Sequence, residues 1–172
     1  MDLPRLKKSM KNSSRIGHIG RARIACQQVS NRTQRWRLKF ANIPVDSVLA
    51  NSCNYLHFQN GTDENRVRVL LGILNSELIN WRFELTNTNN HVSTRELSQL
   101  PIPEIDAISK DHLNGLVSGV KSVRSSNGGS YTGIDSIVFS IYGFSKNDAK
   151  IVLGMRKTPR SDIQEILDGM HA

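Results

Sequence analysis

The sequence predicts an α+β domain: a small antiparallel sheet packed on a long amphipathic helix, with a helical C-terminal part. Three observations lead there. Residues 34–40 alternate polar or basic side chains with Trp36, Leu38 and Phe40, the period of two of a half-buried strand. Val67, Leu70, Leu71, Leu74, Leu78, Trp81 and Leu85 recur at three- and four-residue spacing, which places them on one face of a helix. Beyond residue 105 apolar residues again recur at helical spacing, in one longer and two shorter segments.

The elements follow in order. Residues 1–20 hold few large apolar side chains, and Asn12, Ser13, Ser14, Gly17 and Gly20 disfavour regular structure, so this stretch reads as a basic arm or linker. Residues 23–30 form a short candidate strand, 31–33 a turn, and 34–40 a second strand that would bury Trp36, Leu38 and Phe40 and present Arg35, Arg37 and Lys39. After the Pro44 turn, residues 48–58 offer a third strand, interrupted by Asn51, Ser52 and Asn54 as at a bulge or polar edge. Gly61 closes this region, and Thr62 or Asp63 caps the core helix, which at 1.5 Å per residue spans roughly 33 Å over about 22 residues.

Residues 87–103 then form a polar turn rich in Asn, a short helix and a stop at Pro101 and Pro103. Ser93-Thr94-Arg95-Glu96 matches a capping box, in which Ser93 receives the Glu96 amide and the Glu96 side chain returns to Ser93. Ile105, Ile108, Leu113, Leu116, Val117, Val120 and Val123 give a second amphipathic helix, weakened by Gly115 and Gly119. Residues 125–133 read as a flexible link. Two short helices end the chain, the second capped by Ser145 with Asp148 at its third position. The organisation expected is an arm over 1–20, a principal domain over 21–105 and a helical extension over 106–172.

At 172 residues, 38% of them hydrophobic and 22% charged, the chain is long enough and apolar enough to build a core. Its net charge of +8 favours a polyanionic partner, and the distribution sharpens this. Residues 1–40 hold eleven Lys and Arg against Asp2 alone, which leaves the remainder at −2. Cys26 and Cys53 make neither a disulfide framework nor a metal cluster, and a reducing cytoplasm is the simpler setting. No apolar run is long enough to cross a bilayer, so no membrane partner is expected.

Enzyme signatures are largely missing. There is no glycine-rich dinucleotide or phosphate loop, no His-Glu-x-x-His, no Gly-x-Ser-x-Gly and no amino-methyltransferase Asn/Asp-Pro-Pro-aromatic motif. No cofactor, metal or catalytic residue is therefore expected within this chain. The candidates for binding are Arg32, Arg35, Arg37, Lys39, Asn51, Asn89, Asn90 and His91. Guanidinium offers a fixed fork of donors to guanine edges or phosphates, and Asn pairs bidentately with adenine. The same Asn and His residues equally suit plain turn chemistry.

A resemblance runs through these residues. The basic strand pair is followed by Asn51-Ser52-Cys53-Asn54-Tyr55 and by Leu70-Leu71-Gly72-Ile73-Leu74-Asn75-Ser76-Glu77-Leu78-Ile79-Asn80-Trp81. Then come Thr88-Asn89-Asn90-His91-Val92 and Leu97-Ser98-Gln99-Leu100-Pro101-Ile102-Pro103. Over about residues 20–105 this order resembles the TaqI-like C-terminal specificity domain. That domain is the target-recognition part of adenine-N6 DNA methyltransferases and of fused restriction-modification enzymes. The resemblance implies recognition of double-stranded DNA on behalf of a methyltransferase or endonuclease catalytic domain, N-terminal in the same polypeptide or separate. Two other classes fit the charge: an RNA-binding module stacking bases on exposed Trp36 or Phe40, and a protein-interaction module whose basic end only solubilises.

Overall fold

The computed structural model describes residues 14–59, 61–125 and 130–170, and the expected arm falls outside it for residues 1–13, as does the link at residues 126–129. The fold is α+β. Three strands, β1 (Arg23–Gln27), β2 (Phe40–Ile43) and β3 (Cys53–His57), make one antiparallel sheet in the order β2-β1-β3. Seven α-helices are found among the described residues: α1 (Glu64–Leu74), α2 (Glu77–Thr86), α3 (Thr94–Ser98), α4 (Lys110–Ser125), α5 (Thr132–Ile141), α6 (Lys146–Met155) and α7 (Arg160–Gly169). Short 3₁₀ turns occupy Ser14–His18 and Ile105–Ala107.

Strand alternation decides what the sheet does with its two faces. Ile24 and Cys26 of β1 and Phe40 of β2 point into the core, where α1 lies against β2. Burial pushes the Cys26 thiol up to about 11, so it packs as a small apolar group. The opposite face carries Arg23, Ala25 and Gln27, whose register partners on β3 are His57, Tyr55 and Cys53. The helices then add layers: α4 packs on α1, α5 on α4, α7 on α5, and α6 on α2 and α7. One apolar core runs from Ile24 through Leu116 and Phe139 to Met170, shared by residues 21–105 and the helical extension.

Two expected elements differ. The core helix is two helices, because Asn75 and Ser76 interrupt it: Ser76 caps α2 by accepting from the Ile79 amide, and the break re-phases the buried face. In α2 the core takes Leu78, Ile79 and Phe83, while Leu85, expected in the stripe, is 54% exposed. The strand expected over 34–40 forms only from Phe40 onward. Upstream of it the chain pairs with no strand. Asn80 instead accepts from the Leu38 amide at 2.8 Å and donates to the Leu38 carbonyl at 3.3 Å. Asn75 does the same for Phe40 at 2.8 and 2.9 Å. Two helix side chains thus complete the backbone pairing that a neighbouring strand would otherwise supply.

The remaining differences are smaller. The third strand covers only Cys53–His57, and α7 adds a third short helix at the end. The capping boxes at Ser93 with Glu96 and at Ser145 with Asp148 both form. Gly115 and Gly119 do more than weaken a helix. A Cβ at either would lie 2.7 or 2.8 Å from Ile137 or Ile134 of α5, so glycine is what allows α4 and α5 to approach.

Candidate functional site: an open groove along the sheet

On the β3 side of the sheet lies a groove of about 830 Å³, lined by Arg23 of β1 and by Cys53, Asn54, Tyr55 and His57 of β3. The turn preceding β1 and the loop at residues 48–51 form its walls, and residues 91–94 close the far end. That far end is joined to the sheet by backbone bonds: Val92 donates to the Gln28 carbonyl at 2.8 Å, Ser30 donates to the Asn90 carbonyl at 2.8 Å, and Val29 bridges His91. His57 sits at one end, across from Arg23, and His91 at the other.

The groove's chemistry is uniform in one respect: no Asp or Glu lines it among the described residues. Its polar groups are amides (Gln28, Asn51, Asn54), imidazoles (His18, His57, His91), the hydroxyls of Tyr55, Ser93 and Thr94, the Cys53 thiol and the Arg23 guanidinium. Asn54 is fixed by its neighbours, accepting from Gln28 at 3.2 Å and donating to the Val92 carbonyl at 2.5 Å. Asn51 and His91 are exposed.

The eight candidates from the sequence divide. Asn51 and His91 line the groove. Asn89, Asn90 and Arg32 stand on the adjoining turn, all exposed: Asn90 Oδ1 accepts the Arg32 amide at 3.1 Å, and Asn89 Oδ1 accepts the His91 amide at 2.7 Å. Those five come together. Arg35 and Lys39 lie elsewhere, beside a second cavity of about 430 Å³ between residues 35–40 and the C-terminal helices.

Arg37 is a correction. The expected strand would have presented it to solvent, yet it is 2% exposed. Its Nη2 donates to Asn87 Oδ1 at 2.7 Å and to the Asn89 carbonyl at 2.6 Å, and its guanidinium lies 5.2 Å from the Phe83 ring centre. Burial lowers its pKa. Asn87 completes the arrangement by donating to Glu96 Oε1 at 2.6 Å and to the His91 carbonyl at 2.7 Å. Burial pulls the Glu96 carboxyl upward, but the Ser93 amide and hydroxyl and Asn87 together hold it below the usual carboxylate range. Arg37 and Asn87 therefore shape the turn that carries Asn89, Asn90 and His91 without facing solvent.

Arg35 is held as well. It pairs with Glu77, which is 1% exposed and also accepts from Arg156 Nε at 2.8 Å and from Thr158 Oγ1 at 3.1 Å. Behind it, Asp135 Oδ1 accepts the Glu77 amide at 2.7 Å, and burial raises the Asp135 pKa well above the ordinary carboxylate value. Trp36 lies between the two arginines, 5.5 Å from Arg35 and 5.2 Å from Arg156.

Sequence reading passed over Arg23, His18, Tyr55 and His57. The available signal was strand parity, since Cys53, Tyr55 and His57 alternate onto one face of β3 and Arg23 onto the same face of β1. Among the described residues, no group of three or more His, Cys, Asp or Glu could hold a metal ion. No helix there is long and apolar enough to cross a membrane.

No family model, curated protein or solved structure matches the chain.

Proposed function

We propose that the chain is a non-catalytic target-recognition domain for double-stranded DNA. It would direct a separate catalytic domain of an adenine-N6 DNA methyltransferase or restriction-modification enzyme to its site. The observation that carries this reading is the carboxylate-free groove along β3, edged by the turn with Arg32, Asn89 and Asn90. Phosphates are repelled by carboxylates and attracted by guanidinium and imidazolium, so a lining without acids suits a polyanion. Exposed Asn51 and His91 carry the donors and acceptors that read base edges, while Arg32 suits phosphate or guanine.

Stacking of single-stranded RNA bases would require an open aromatic face. Phe40 is 8% exposed and Trp36 is flanked by Arg35 and Arg156, which favours the duplex reading.

Fluorescence anisotropy with random-sequence duplexes tests the proposal. A footprint of about 6 to 10 phosphates loses roughly 10³ to 10⁵ in affinity between about 50 and 200 mM salt. Absence of binding at the lower salt would rule the reading out.

A further inference from the structure

Arg23 is 3% exposed and lies at the end of the groove. Its Nη2 donates to the Ser47 carbonyl at 2.7 Å and to those of Pro44 and Ile19 at 3.4 Å. Its Nε is buried with no hydrogen-bond partner, and no carboxylate among the described residues pairs with it. Carbonyl dipoles compensate such a charge only in part, because a buried cation is costly unless an anion stands beside it. Two other buried arginines have an orphaned nitrogen: Arg37, held like Arg23 by carbonyl and amide oxygens but away from the groove, and Arg156, which pairs with Glu77 and Glu84. Arg23 thus presents a fixed positive charge with no carboxylate counterion among the described residues.

The residues beside Arg23 supply what an oxyanion needs. His57, its register partner on β3, is exposed, and its ring makes no hydrogen bond to a described residue. It stacks on His18, with ring centres 3.7 Å apart. His18 Nδ1 in turn stands 3.0 Å from the Tyr55 hydroxyl. All four residues line the same end of the groove.

We propose that Arg23, His18, His57 and Tyr55 form an oxyanion subsite that holds one phosphodiester of the bound strand. The assignment of a phosphodiester rests on the DNA reading of the groove. Arg23 is the buried fixed charge. His57 is the adjustable one: protonated, both of its ring nitrogens donate, and a bond from imidazolium to a phosphate oxygen is charge-assisted.

Among the described residues, the groups beside His57 are His18 from the turn before β1, Arg23 across the sheet and Tyr55 on β3, while Asp46 lies in the turn whose Pro44 and Ser47 carbonyls hold Arg23. Cys53 and His91 lie further along the groove. An arriving phosphate favours proton uptake by His57. Protonation is therefore linked to binding, and affinity rises as pH falls.

Two measurements test this. In the first, anisotropy with a random-sequence duplex compares the wild type with His57→Gln across about pH 6 to 8 and across a salt series. One linked proton gives up to about a tenfold gain in affinity per pH unit on acidification. His57→Gln is expected to flatten that dependence and to lower the salt slope by about 1, equally for all sequences. In the second, the side-chain NMR resonances of His18 and His57 are followed as inorganic phosphate replaces chloride at constant ionic strength, with movement of both expected.

Wild-type pH and salt dependence in His57→Gln overturns the subsite while leaving the DNA reading intact. Failure of phosphate to move either ring also overturns it. Movement of both rings in a protein that binds no duplex keeps an anion subsite and removes the DNA reading.

Discussion

The groove and the interior around Glu77 both gather arginine beside a cavity, and they do opposite things with it. In the interior, Arg35 and Arg156 share one buried carboxylate, and Asp135 stands behind it. The adjoining cavity holds Glu77, Asp135 and Asp162, a lining that disfavours a polyanion. In the groove, Arg23 has carbonyl oxygens and no carboxylate among the described residues, and imidazoles and amides complete the lining. The difference teaches that a count of cations does not locate a binding face. What matters is whether the fold has already given each cation its anion.

The largest test of that contrast is Glu77→Ala. It leaves Arg35 and Arg156 without the carboxylate they share, and breaking a buried pair costs about 3–5 kcal/mol. Urea denaturation should record that loss, while duplex binding, measured where the protein is still folded, stays as in the wild type. A loss of binding at full folding would break the separation between the two regions.

Next comes Arg37→Ala, which strips the donors from Asn87 Oδ1 and the Asn89 carbonyl and should cost about 1–3 kcal/mol in the same denaturation measurement. Charge reversal at Arg35 or Arg37 consequently tests stability, and Arg32 is the position at which to probe a partner.

Asp135→Asn sharpens the interior side. The folded-state pKa of Asp135 is raised, so the native state binds more protons than the unfolded chain above the ordinary carboxylate value. Stability then falls as pH rises through that window, by at most about 1.4 kcal/mol per pH unit. The amide variant, whose Oδ1 can still accept the Glu77 amide, should flatten this slope in thermal melts taken between about pH 4 and 8.

The smallest effect belongs to Arg32→Ala on the groove side. Arg32 is exposed and only its amide is bonded, so folding should be unchanged and the salt slope of duplex binding reduced by about 1. An unchanged slope would remove the turn at residues 31–33 from the proposed interface.

Much of the fold was readable because local chemistry decides it. Ser93 and Glu96, or Ser145 and Asp148, form their capping boxes from residues three apart. The apolar spacing from Leu113 to Val123 and from Ile151 to Met155 likewise survives into α4 and α6, although Ile105 and Ile108, expected in the former, fall before it. Part of the candidate site was readable in the same way, since Asn89, Asn90 and His91 sit in a turn that the side chains of Asn89 and Asn90 help to close.

Other features needed partners remote in the chain. Residues 34–40 alternate as a strand does, yet Asn75 and Asn80, at least 35 residues away, take the place of the neighbouring strand. Ser76 breaks the long helix at a point where the apolar pattern continues through it. The sequence by itself determined the α+β class, the caps, the apolar faces and the concentration of positive charge near one end.

Only the tertiary structure decided which cations that charge leaves available. Arg35 and Arg37 are taken up by Glu77, Asn87 and Asn89, whereas Arg23, at the start of a strand, is left in the groove floor beside His57. The reason is physical. Helix and strand periodicity are written over a few residues, but the field at a guanidinium depends on every dipole and carboxylate within several ångströms, and the folded chain brings those from everywhere.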